Sequence, residues 1–485
     1  MNHRLLEDNK EKENIKKKSK KIKDKKPNNN IFIKKYILFF SIPLIIFINI
    51  YLSDHSPKIL DLIKRIEKLE STIQKLEKET IKKKIKIAFV SQHYFIGINK
   101  YINILGELLI KLGRYDVYLI TEKEFIASDY KYNKKIKRYV TKNYESLKNF
   151  DEENNIDIYI LNNDISTNID IYKSFEKKVI GFFHGVFLTF IFKNETNNYR
   201  FWKNNNKLDA FIQVIPDDYR VYKKIGFNNT IYIPYIDTFD KKNISSPLTY
   251  KNILMIRKDG IISGEKYGLY AMAEIVKEVP DARLTIIGTE PAENIKDLIK
   301  ELKLQDKVVY TGPNFNITEL YLNTSVFLFT SFSESCSMQL NEGKAYGLPI
   351  VAFNIDYCPY YRDGLIKIEM FDYISMAKES IKLLTNYQYR KRKSKEAILS
   401  LNNYETTDEK VEMWDNLFKT IINSTEDFNK FQKKLETIYY NEDVAKENLK
   451  KHYHFAQQLN EYFRCHSFEK FTTLEYLNNI EICKI

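Results

Sequence analysis

The chain has 485 residues, 44% hydrophobic and 29% charged, which is enough apolar side chain for two ordinary cores and excludes global disorder. Its net charge of +13 would suit a nucleic acid or an anionic membrane, yet residues 1–35 hold 13 Lys and Arg against 5 Asp and Glu, so most of the excess lies there and no nucleic-acid partner is expected. Four scattered cysteines (Cys336, Cys358, Cys465, Cys483) exclude a disulfide framework and a Cys-based zinc site, and leave an isolated pair such as Cys336 with Cys358 open.

Residues 1–35 read as a solvated basic tail. The uncharged run Tyr36–Leu52 follows, at the short end of what spans a bilayer. The expectation is a transmembrane signal anchor over 36–53, because the charged segment before it is too long for a cleaved signal peptide. Lys is denser before the run than after it, which predicts a cytosolic tail, a single-pass type II orientation and the rest of the chain on the far side. In a eukaryotic or viral source that side is an ER- or Golgi-like lumen; the Asn-x-Ser/Thr sites at Asn194, Asn228, Asn243, Asn316, Asn323 and Asn423 do not decide it. Over 56–84, Ile59, Leu62, Ile66, Leu69, Ile73 and Leu76 alternate spacings of three and four. Ile at one seam position and Leu at the other predict a parallel coiled-coil stalk, hence a homodimer.

From Ile85 short apolar runs alternate with helical patterns. The runs Ile85–Ser91, Val117–Thr121, Ile156–Asn162, Val179–Gly185, Ala210–Ile215 and Thr230–Ile236 form one series. A polar stretch with Pro247 separates them from Asn252–Arg257, Arg283–Gly288, Lys307–Gly312, Val326–Ser331 and Pro349–Phe353. Apolar runs of this length suit parallel strands buried on both faces. The fold class is therefore α/β: two doubly wound Rossmann-like domains at 85–245 and 250–420, with a helical tail at 426–485.

Ligands of such sheets bind beyond the C-terminal ends of strands. There the sequence places Glu334 in a strand-to-helix loop and Glu342 eight residues on, with Ser337, Met338 and Gln339 at the helix start offering N–H groups to an anion. Arg257 ends the second series' first run, and Lys266 follows just before a helix; together they would bracket a diphosphate and stabilise its charge as it departs. In the first series, His184 follows a strand and would hydrogen-bond a transferred sugar or a phosphate. His93 and Gly97 lie in the loop after the first strand, and Asp237 follows the last.

The order R-x8-K-x-G (Arg257, Lys266, Gly268), Gly288, Gly312 and E-x7-E (Glu334, Glu342) resembles the nucleotide-sugar half of GT-B glycosyltransferases, in particular the retaining family 4, over about 85–420. The resemblance implies that Arg257 and Lys266 hold the donor diphosphate, that Glu342 holds the ribose, that Glu334 lies near the transferred sugar, and that His184 acts from the first half. Gly288 and Gly312 then line the donor site, and Gly97 stands alone where the family has a Gly-Gly acceptor or phosphate loop. Ser335 replaces the Gly usual after the first Glu, and Tyr235-Ile236 replaces the usual Asn-Gly. No D-x-D occurs, so no metal and no cofactor is expected beyond the nucleotide sugar as substrate. The expected activity is sugar transfer, with retention, to a glycan, lipid or protein. The reading of another class is a membrane tether whose transferase fold binds without catalysing.

Overall fold

The computed structural model describes residues 84–465 apart from 92–95, 123–132, 163–168, 186, 188–203, 237–244, 258–263, 313–316, 333, 335–336, 356–362 and 404, and ahead of them Arg65, Glu67, Lys68 and Ser71. The chain divides into two units, Met1–Lys84 and Ile85–Ile485. In the first, those four residues are helical and exposed. The basic tail, the apolar segment 36–53 and any pairing of the stalk lie outside the described residues. No helix among the described residues is long and apolar enough to cross a membrane.

The second unit holds two parallel sheets. One has seven strands, β1 (Ile85–Ser91), β2 (Tyr115–Thr121), β3 (Lys137–Val140), β4 (Ile158–Asn162), β5 (Lys178–Phe182), β6 (Ala210–Gln213) and β7 (Thr230–Tyr232), in the order β3-β2-β1-β4-β5-β6-β7. The other has six, β8 (Asn252–Ile256), β9 (Arg283–Ile287), β10 (Val308–Tyr310), β11 (Val326–Phe329), β12 (Ile350–Phe353) and β13 (Ile366–Ile368), in the order β10-β9-β8-β11-β12-β13. Registers run Ile87 against Val117 and Ile158 in the first sheet, and Leu328 against Met255 and Val351 in the second. Both match the doubly wound expectation. Every residue of β4, β6, β11 and β12 is buried, as expected of strands covered on both faces.

Strand order reverses between β1 and β4 in one sheet and between β8 and β11 in the other. Crossover connections leave such a pair on opposite faces, which opens a crevice beyond their C-terminal ends. That is why Asn162 and His184 meet at one strand-end cluster, and Arg257 and Glu334 lie at another.

The chain after the second sheet returns to the first. Helix Thr407–Asn423, closed by a capping box of Thr406 and Glu409, packs against helix Ile96–Lys111. Helix Glu442–Cys465 packs against helix Pro216–Lys224. Lys223 contacts Glu436, Lys224 Nζ lies 2.6 Å from Glu442, and the fully buried His452 sits 3.2 Å from Asp218. The tail at 426–485 is thus helical as far as Cys465 and docks on the first half.

Candidate active site

The second half's site is built on the β8/β11 switch point. Arg257 directly follows β8 and is tied down rather than solvated. Its Nη1 donates to the Thr289 and Glu290 carbonyls, both at 3.0 Å, and to Thr289 Oγ1 at 3.2 Å, while its Nε lies 3.2 Å from Glu265. Nη2 has no hydrogen bond among the described residues and remains a fixed donor at the strand end. Glu265 also accepts from the Tyr310 hydroxyl at 2.7 Å, so the pair is braced on both sides. Gly288 follows β9 beside this arginine, where a Cβ would stand 2.9 Å from Arg257 Cβ, and Gly312 turns the chain after β10 with φ +70°.

Lys266 lies in the first turn of helix Glu265–Glu278, not ahead of it, and is half-buried. Gly264 starts that helix with φ +61°, and a Cβ there would meet the Thr330 carbonyl oxygen at 2.0 Å. Only glycine allows so close an approach, and it brings the Lys266 turn against the end of β11. Tyr267 and Phe332 then pack edge-to-face at 5.5 Å and hold that loop. Glu334, buried in the same loop, accepts from Ser331 Oγ at 2.7 Å. Ser337 caps helix Met338–Ala345 by accepting from the Leu340 N–H; Met338 and Gln339 follow it half-buried, and Ser337 Oγ donates to Gln339 Oε1 at 3.2 Å. One turn in, Glu342 accepts from the Tyr321 hydroxyl at 3.2 Å and contacts the Lys100 ammonium of the first half.

Sequence motifs do not announce Lys100, Tyr321 or Glu265 as partners. Glu265 stands within the quoted Gly-Glu-Lys run, whereas Lys100 is 242 positions from Glu342 and only folding joins them.

In the first half the structure corrects one expectation and shows the partners of a second residue. Gly97 lies in the first turn of helix Ile96–Lys111, not in a loop. His184 is buried, and both ring nitrogens are engaged within its own half: Nε2 with Asn162 Oδ1 at 2.8 Å and Nδ1 with the Tyr235 hydroxyl. Asn162 Nδ2 donates to the Val90 and Ile160 carbonyls, at 3.0 and 3.2 Å, so its Oδ1 must be the acceptor. Nε2 therefore carries the proton, and Nδ1 accepts from Tyr235. A direct bond from His184 to a sugar would require one of these partners to leave. His93 and Asp237 lie outside the described residues.

Burial, with Phe182 at 4.0 Å between ring centroids, lowers the His184 pKa to about 3. An unfolded chain takes up that proton near 6.5. Stability is then full above pH 6.5 and falls as the pH drops below it, by about 2 kcal/mol at pH 5. Urea midpoints at pH 7.5 and pH 5 should show this loss in the wild type and lose that share of it in His184→Gln; equal pH dependence would contradict a neutral buried imidazole.

Among the described residues no group of three or more His, Cys, Asp or Glu is placed to hold a metal ion.

Residues 237–399, which carry all of this second-half geometry, match the family described as glycosyl transferases group 1. The match covers about a third of the chain. A glycosyltransferase of Haemophilus influenzae is 33% identical over 133 residues, 27% of this chain and 38% of the relative. The chain spans under half the length of the curated relatives it matches. Among solved structures, sucrose-phosphate synthase from Thermosynechococcus elongatus superposes with a TM-score of 0.58 at 15% identity, over 69% of this chain and 98% of that one. HepE of Anabaena, solved with UDP and glucose, gives 0.56 at 12% identity over 69% and 99%. At these identities the likeness concerns the fold: the two parallel-sheet domains are a GT-B pair.

Proposed function

We propose that the chain is a glycosyltransferase that moves a sugar from a nucleotide-sugar donor to a hydroxyl of a glycan, lipid or protein, with retention of configuration and with no metal. The observation that carries this is the meeting of Arg257, Lys266 and Glu334 at one switch point, with Glu342 one turn along the next helix, within the stretch that matches the group 1 glycosyl transferases. In this reading Arg257 Nη2, the Lys266 ammonium and the N–H groups after Ser337 take the diphosphate. As the sugar–oxygen bond breaks, charge grows on the leaving phosphate, and donors already fixed in place stabilise it without reorganising. Glu342 accepts from the ribose hydroxyls, and Glu334, aligned by Ser331, faces the transferred sugar. The UDP and glucose seen in the Anabaena HepE structure support a nucleotide-sugar donor for this fold. The acceptor would enter from the first half, near the end of β4. Attachment to a membrane through 36–53, dimerisation through the stalk and a lumenal active site complete the proposal and rest on the sequence patterns alone.

Hydrolysis of a panel of UDP-, GDP- and ADP-sugars by the full chain tests the activity. One donor is expected to be turned over, and Lys266→Ala and Glu342→Ala to lower the rate at least 10-fold each, about 1.4 kcal/mol. A rate shared by the wild type and both variants would mean background hydrolysis, and the fold would then bind without catalysing.

A further inference from the structure

Helix Ile96–Lys111 follows β1, and helix Met338–Ala345 follows β11. Each strand flanks the switch point of its own sheet, so the contact between Lys100 and Glu342 crosses the cleft between the halves. Glu342 is the carboxylate assigned above to the donor's ribose, and it is nearly closed off: its side chain is 6% exposed, against 27% for Lys100. Of its two oxygens, Oε1 holds the ammonium and Oε2 the Tyr321 hydroxyl.

These partners differ in how readily they leave. Tyr321 is buried and stacks on Tyr346, with centroids 4.9 Å apart and planes at 24°. Its pKa is raised by burial and by the Glu342 charge, so it stays a proton donor to that carboxylate. Lys100 is a partly exposed charge on a flexible stem, free to regain water. A ribose diol needs acceptor positions on Glu342 and cannot reach a closed carboxylate while the ammonium covers it.

We infer that Lys100 is a specificity gate: in the donor-free protein it holds Glu342 and keeps the cleft shut, and a ligand opens the site only if it brings hydroxyls that replace the ammonium on that carboxylate. The inference rests on the reading of Glu342 as the ribose partner. Its physical content is a conformational tax. Donor binds only the fraction of molecules whose gate is open, so apparent affinity is reduced by that fraction. The gain is selectivity. Inorganic pyrophosphate and simple sugar phosphates would suit the Arg257–Lys266 cations, yet they carry no ribose diol to draw Lys100 away.

Calorimetric titration of the full chain with UDP, GDP and ADP, and with inorganic pyrophosphate, tests this. For whichever nucleotide binds most tightly, Lys100→Met is expected to lower Kd about 5- to 10-fold, and Lys100→Arg to leave it within 2-fold. Glu342→Gln is expected to weaken binding at least 10-fold and to abolish the effect of Lys100→Met. Pyrophosphate should bind Lys100→Met measurably better than the wild type. If the nucleotides bind but Lys100→Met weakens binding or leaves it unchanged, the gate is wrong and the donor reading stands. If no nucleotide binds the wild type or Lys100→Met, the donor reading fails and the gate fails with it.

Discussion

Replacing Arg257 by Ala is expected to lower kcat for donor hydrolysis about 10²–10³-fold, as for loss of one preorganised donor to a developing oxyanion. The expectation is large because this guanidinium is positioned before any ligand arrives. Three hydrogen bonds to Thr289 and Glu290 and an ion pair with Glu265 fix its plane, so little reorganisation is left for the reaction step. Arg257→Lys keeps a charge but not the fork, since an ammonium cannot serve Thr289, Glu290, Glu265 and a phosphate together. It should fall between the two, about 10-fold below wild type. A structural loss must be separated from this, because truncation leaves Glu265 buried without its cation. Glu265 keeps the Tyr310 hydroxyl, so a folded variant is expected, and its urea midpoint should be recorded beside its rate. Retention of more than half of wild-type kcat by folded Arg257→Ala would remove Arg257 from the diphosphate site.

The sheets were legible because parallel strands covered on both faces read as unbroken apolar runs. Two edge strands escaped for the opposite reason. β3 is Lys-Arg-Tyr-Val with its first two residues exposed, and β13 is three residues long with an exposed lysine in the middle. An edge strand needs no second apolar face, and its polar residues resemble a loop. In the site, residues tied to a local pattern could be found: Arg257, Lys266, Glu334 and Glu342 stand at fixed offsets from strand ends. Residues that matter through partners far along the chain could not. Asn162 is one polar residue closing an apolar run, and nothing in the run states that its amide will orient His184. The Lys100–Glu342 contact depends on two domains meeting, which no local pattern encodes.

The C-terminal helices show the same division between pattern and placement. The sequence predicts a helical tail at 426–485 without saying which half it serves, and its boundary for the second domain at 420 leaves most of helix Thr407–Asn423 with that half. Helix Thr407–Asn423 leaves the second half and buries Trp414 completely in the first, edge-to-face with Phe182 at 5.4 Å and beside Phe418 at 5.4 Å. The next residue repeats the crossing in polar form: Asp415 accepts from the Tyr115 hydroxyl at 2.5 Å and pairs with Arg114 at 3.1 Å and with Lys419 at 2.7 Å.

Trp414→Ala should therefore cost about 3–5 kcal/mol of stability in urea unfolding of the full chain, from lost transfer free energy and a cavity that β5 cannot collapse to fill. Trp414→Phe, which still reaches Phe182, should cost about 1–2 kcal/mol. Phe182 also touches the His184 ring at 4.0 Å, so the cavity opens beneath the first half's strand-end cluster. Donor KM, set by second-half residues in the proposal, should change less than 3-fold in folded Trp414→Ala, whereas kcat for transfer to an acceptor should drop more than KM rises. A stability loss below about 1 kcal/mol would mean that this helix only rests on the first half and does not clamp it.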